Sequence, residues 1–185
     1  MIRPRRHRSS GGQALVEFAL VVGLFMLVVG GIVQFAVILW SQNTVNQIAR
    51  DTARWAVTQS DSPCASAGMR ANVATHANQL ASQWQLIGPH SWSTASDDVD
   101  AVGPSGVGVE WYVDEDTLPP EIDITRVFDS DCPPSDNRLP WFVRVRVNQA
   151  VPIFFPGLQF ISQGCAPGFC VSSTTELRME PKRPE

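Results

Sequence analysis

From Phe18 to Trp40 the chain is apolar at almost every position, and Gln34 is the only strongly polar side chain in those 23 residues. A run that is apolar all round, with no polar stripe, predicts a helix immersed in an apolar medium. About 20 residues suffice to cross the hydrocarbon core of a bilayer. The pattern then changes. "SQNTVNQIARDTARWAVTQ" contains no proline or glycine and places Val45, Ile48, Thr52 and Trp55 at helical spacing, which predicts that the same helix continues to about Thr58, one-sided rather than apolar throughout. A helix over 13–58 would be near 70 Å long, at about 1.5 Å per residue. Gly30-Gly31 is its weakest internal point, either a hinge or a place for close helix packing in lipid.

"SDSPCASAG" ends this pattern. A second helix is expected in "ASAGMRANVATHANQLASQW", with Met69, Val73, His76, Leu80 and Trp84 on one face. Beyond it the period falls to two. "VGVEWYV", "EIDITRVF", "WFVRVRVNQAVPIF" and "CVSSTTELRM" read as strands separated by Pro, Gly and Asp clusters. In "FVRVRV", Arg144 and Arg146 fall on one face and Val143, Val145 and Val147 on the other. One polar and one apolar face suggests an antiparallel sheet packed against helix, so the fold class is α+β: a long N-terminal transmembrane helix extending into a soluble domain with a second helix and an antiparallel sheet.

Charge gives the apolar helix a direction. The first twelve residues carry Arg3, Arg5, Arg6 and Arg8 and no acid, whereas the whole chain is −4, leaving −8 for residues 13–185. A basic tip before the span and an acidic body after it predict a cytoplasmic N-terminus. Trp40 stands where an interfacial aromatic anchor would. A cleaved secretory signal shares the basic start, but its apolar region is about 7–15 residues, shorter than this one. The body has no basic stripe, which argues against nucleic-acid binding. Three segments follow: a basic leader at 1–12, the long helix at 13–58, and a soluble domain at 59–185 outside the cytoplasm.

Glu17 is the anomaly, a carboxylate at the mouth of the apolar run. An acid near the centre of a span costs about 2.5–3.5 kcal/mol, and less near the interface. Glu17 could rest among headgroups. Alternatively, a cut between Gly12 and Gln13 would create an α-amino cation one turn from Glu17. In a shifted neighbouring copy or partner that amine would pair with Glu17, and an unpaired Glu17 would penalise wrong registers.

The stretch "GGQALVEFALVVGLFMLVVGGIVQFAVILWSQNTVNQIARDTARWAV" resembles the TadE-like family of tight-adherence (Flp) pilus assembly proteins, minor pseudopilins of the type IV pilin superfamily. The resemblance rests on Gly12 before Gln13, Glu17 followed by Phe18, the long apolar helix, Gln34-Phe35 and the "ARDTARWAV" exit. Many family members have a proline early in the apolar run, where this chain has Val22-Gly23. The resemblance implies a leader removed between Gly12 and Gln13 by a prepilin peptidase. It also implies that Glu17 and Phe18 set assembly register. Implied partners are membrane lipid, the peptidase, other pilins or pseudopilins, and the pilus assembly machinery. The competing reading is an uncleaved single-pass membrane-anchored binding or adhesion protein that does not polymerise.

Four cysteines, Cys64, Cys132, Cys165 and Cys170, lie on the predicted outer side, where disulfides form. Cys165 and Cys170 flank the turn-rich "APGF" and are the easiest pair to close, leaving Cys64 with Cys132; four cysteines allow three connectivities. A zinc site lacks a second close-spaced pair. His76, in an apolar stripe, reads as a core histidine rather than a ligand. The acids Asp97, Asp98 and Asp100, and Asp114, Glu115 and Asp116, lie in Ser/Gly/Pro-rich loops without EF-hand spacing. They read as solvated. No phosphate-binding glycine loop or serine elbow occurs. Catalysis, a metal and a cofactor are not expected.

Overall fold

The computed structural model describes residues 11–59, 67–113, 141–155 and 168–179. Helix α1 runs Gly11–Thr58 and α2 runs Ala67–Gln83. Three strands follow: β1, Gly106–Val113; β2, Trp141–Pro152; and β3, Gly168–Arg178. They form one antiparallel sheet in the order β1-β2-β3. The α+β class, the continuous long helix and the antiparallel sheet are as expected. The strand expected in "EIDITRVF" lies outside the described residues.

Period-two patterning explains the sheet. Val143, Val145, Val147, Gln149 and Val151 of β2 are buried, while Arg144, Arg146 and Asn148 point to the other face. Register brings Val107 of β1 opposite Val147 and Val109 opposite Val145. On the other side, Val171 of β3 meets Gln149 and Leu177 meets Val143. A one-residue slip would turn the arginines into the core, so register is strongly specified.

The two helices cover the apolar face. α1 lies over β2 and β3, and α2 packs against α1 and β1. The side of α1 covered by the sheet and by α2 is Ser41, Thr44, Val45, Ile48, Ala49, Thr52, Ala53 and Ala56, all buried. Each buried valine or isoleucine contributes about 1.5–3 kcal/mol relative to exposure. The helix predicted to be an anchor is therefore also the spine of the core.

The centre of the α2 face keeps Val73 of the expected stripe but is otherwise made of smaller residues. Val73, Ala74, Ala77 and Ala81 are buried, whereas Met69, His76, Leu80 and Trp84 are only half-buried. The reason is steric. Alanines here, and Ala49, Ala53 and Ala56 on α1, let backbones approach closely, so the bulky side chains flank the contact. The helix ends in a Schellman turn: Leu86 N–H donates to Ala81 O at 2.9 Å, and Gln85 takes a left-handed φ of 51°.

Gly30-Gly31 does not break α1. α1 passes through it unbroken, and Gly30 is buried beneath the Phe155 ring, which a Cβ on Gly30 would strike. Gly31 has nothing within 4 Å of a Cβ position.

Candidate functional site

α1 changes character at Gly30. Upstream, Leu15, Val16, Phe18, Leu20, Val21, Leu24, Phe25 and Met26 are all exposed. The helix is apolar and long enough to cross a membrane. Downstream, one side is covered by the body. The changeover is fastened by Gln34, which is only 4% exposed. Its Nε2 donates to Pro152 O at 3.2 Å, and its Oε1 accepts from Phe154 N–H at 2.9 Å. The lone polar side chain of the apolar run thus satisfies the backbone where β2 ends. Eight residues along, Gln42 Nε2 donates to Ser172 O of β3 at 2.9 Å.

The predicted processing and register residues lie at the other end. Gly12 and Gln13 sit in the first turn of α1, where backbone N–H groups have no helical partner. Gln13 and Glu17 are exposed, and Gln13 Nε2 donates to Glu17 Oε1 at 3.1 Å. Phe18 is 65% exposed. Among the described residues, that turn carries an outward carboxylate and an outward aromatic with no contact to the body: surface available to another molecule.

Other candidates are committed locally. His76 stacks on Trp55 of α1, ring centroids 4.7 Å apart and planes 13° from parallel. Burial lowers its pKa from the usual histidine value, opposed by nearby Asp51. Asp97 pairs with Arg70 at 2.8 Å and Asp100 with Arg146 at 3.0 Å. Asp98 Oδ1 accepts the Asp100 N–H at 2.8 Å, an Asx turn. Asp114, Glu115 and Asp116 lie outside the described residues, as do Cys64, Cys132 and Cys165. Cys170 is on β3, and no free cysteine occurs among the described residues.

Two buried glutamines carry more than their sequence context signals. Gln149 is fully buried in β2, and its Nε2 donates to Pro89 O at 3.2 Å while Oε1 accepts from Ser105 Oγ at 3.3 Å. Gly88, at φ 110°, lies so close that a Cβ would meet the Gln149 amide. Alternation marks Gln149 as inward-facing, and an inward amide in a valine strand is the signal for such a clamp. On the outer face Arg144 lies 4.7 Å over the Tyr112 ring, and its guanidinium is 3.5 Å from Glu176. Burial, then the Glu176 hydrogen bond, raises the Tyr112 pKa. An open groove of about 710 Å³ between α1 and the end of α2 is lined by Trp40, Asn43, Gln47, Arg50 and Trp84. Among the described residues its lining holds no acid and no nucleophile.

An apolar N-terminal helix, half bare and half built into an α+β body, defines a pilin-like architecture. Residues 12–54 match the family model described as TadE-like protein, so the segment that resembled that family from its motifs also matches it as a family model. The match ends within α1, and neither the comparison with curated proteins nor that with solved structures returned a match.

Proposed function

We propose that the chain is a minor pilin-like (pseudopilin) subunit needed for assembly of a tight-adherence pilus, and that it performs no catalysis. The observation that carries this reading is the TadE-like match over residues 12–54. The exposed Glu17-Phe18 turn, remote from the body, supports it. In this reading a prepilin peptidase removes residues 1–12 and leaves Gln13 as the new terminus. The chain sits in the cytoplasmic membrane with its body outside the cytoplasm. Glu17 pairs with the amino terminus of a neighbouring pilin or pseudopilin.

The test is the mature terminus together with piliation. Mass analysis of the membrane-extracted protein should find Gln13 first, and Gly12→Val should leave the precursor untrimmed. Glu17→Gln protein should be trimmed and present in normal amounts, yet the cells should lack pili. Met1 or Ile2 on the mature form, or wild-type pilus numbers with Glu17→Gln, would refute the reading in favour of an uncleaved anchored adhesin.

A further inference from the structure

Among the described residues, the body meets the bare half of α1 at the end of β2. Phe155 covers Gly30, and Pro152 and Phe154 bond to Gln34. Phe154, 62% exposed, projects from this junction beside a helix whose Ile32, Val33 and Phe35 are also exposed. The axial level of the junction follows from helix geometry. With about 30 Å of hydrocarbon and 1.5 Å per residue, a core that begins at Phe18 ends near Ile38. If Gln13 and Glu17 are drawn in, it ends near Val33. Gly30 lies inside the outer boundary on either placement, by about 12 Å in the first and about 4 Å in the second.

Two independent features suit the junction to that depth. Non-helical backbone cannot face lipid unless its polar groups are satisfied. Gln34 supplies the donor for Pro152 O and the acceptor for Phe154 N–H. The chain is also without charge from Val147 to Thr175, as α1 is from Phe18 to Ala49. Charged side chains resume with Arg146, Arg144 and Glu176, towards the opposite end of β2 and β3.

We propose that the β2 exit, Ile153–Phe155, is a second membrane contact: a foot that places Phe154 in the outer leaflet of the bilayer that α1 crosses. The occupant of this apolar surface is lipid, because the surface is continuous with the lipid-facing side of α1. The foot rests on the membrane-anchor part of the proposed function, not on pilus assembly. It makes the body a monotopic domain seated in the membrane surface.

The experiment uses the full chain, disulfides oxidised, in vesicles of phosphatidylethanolamine and phosphatidylglycerol. Single nitroxide labels are placed at Phe154→Cys, Leu24→Cys and Thr174→Cys. Relaxation by molecular oxygen, which partitions into lipid, is compared with relaxation by a water-soluble nickel chelate. Phe154 should resemble Leu24, with oxygen dominant by several-fold, while the exposed β3 site Thr174 should show the reverse. Leu24 in lipid with Phe154 in water would overturn the foot and leave the anchor intact. Leu24 in water would overturn both. Photo-crosslinking from benzoylphenylalanine at 154 should capture lipid; capture of a second copy of the chain instead would overturn the lipid assignment.

Discussion

At the residue scale, adjacent glycines have opposite duties. Gly30→Ala drives a methyl group into the Phe155 ring and should cost about 1–3 kcal/mol as overpacking. Gly31→Ala meets nothing and should be neutral or stabilising by up to about 1 kcal/mol, through helix propensity. Thermal unfolding in detergent, followed by the near-ultraviolet signal of the tryptophans, checks the contrast; equal midpoints would show that the junction does not bear on stability. His76 makes a second prediction. Its folded pKa lies below the unfolded value of about 6.5, so the unfolded chain takes up its proton first. Its contribution to stability is complete above about pH 6.5 and is lost as pH falls through that value to the lowered one. The midpoint should drop between about pH 7.5 and 5.5, and the drop should shrink in His76→Phe, which keeps a ring against Trp55. Identical pH dependence in the two proteins would assign the effect elsewhere.

At the scale of elements, periodicity made most of the architecture legible. The unbroken apolar run, its one-sided continuation and the "FVRVRV" alternation each correspond to an observed element because each reports a face. What periodicity does not encode is which face meets which neighbour. Of the α2 stripe Val73 is fully buried, but the rest of the buried centre is Ala74, Ala77 and Ala81, since alanine carries little hydrophobic signal but permits close approach. Gln34 was visible as an intruder in the apolar run, but its bonding partner lies 118 residues away in sequence, beyond any local pattern. The Glu17 turn was legible from the motif alone, and the structure adds that this turn is bare.

For the whole molecule, covalent closure is the remaining determinant. Peptide mapping without reductant should recover Cys165 joined to Cys170 and Cys64 joined to Cys132. The shorter loop should stabilise by less than the roughly 3 kcal/mol associated with fifteen residues, so Cys64→Ser should harm folding more than Cys170→Ser. Four alkylatable thiols in the native protein would reverse the topology and put the body in the cytoplasm.

Because α1 is both span and spine, the body hangs from its anchor without a swivel. Hydrophobic packing from Val45 to Ala56, the Gln34 and Gln42 bonds and the Phe155 ring grip the same rod that crosses the apolar zone. Force applied to the body is therefore delivered to the span as displacement rather than absorbed by a tether. Raising the body by one helical turn, about 5.4 Å, lifts Glu17 by the same amount. In a bilayer such a rod would act as a piston, the height of the body setting the depth of a carboxylate about 20 Å from Gly30, at about 1.5 Å for each of the thirteen residues from Glu17 to Gly30.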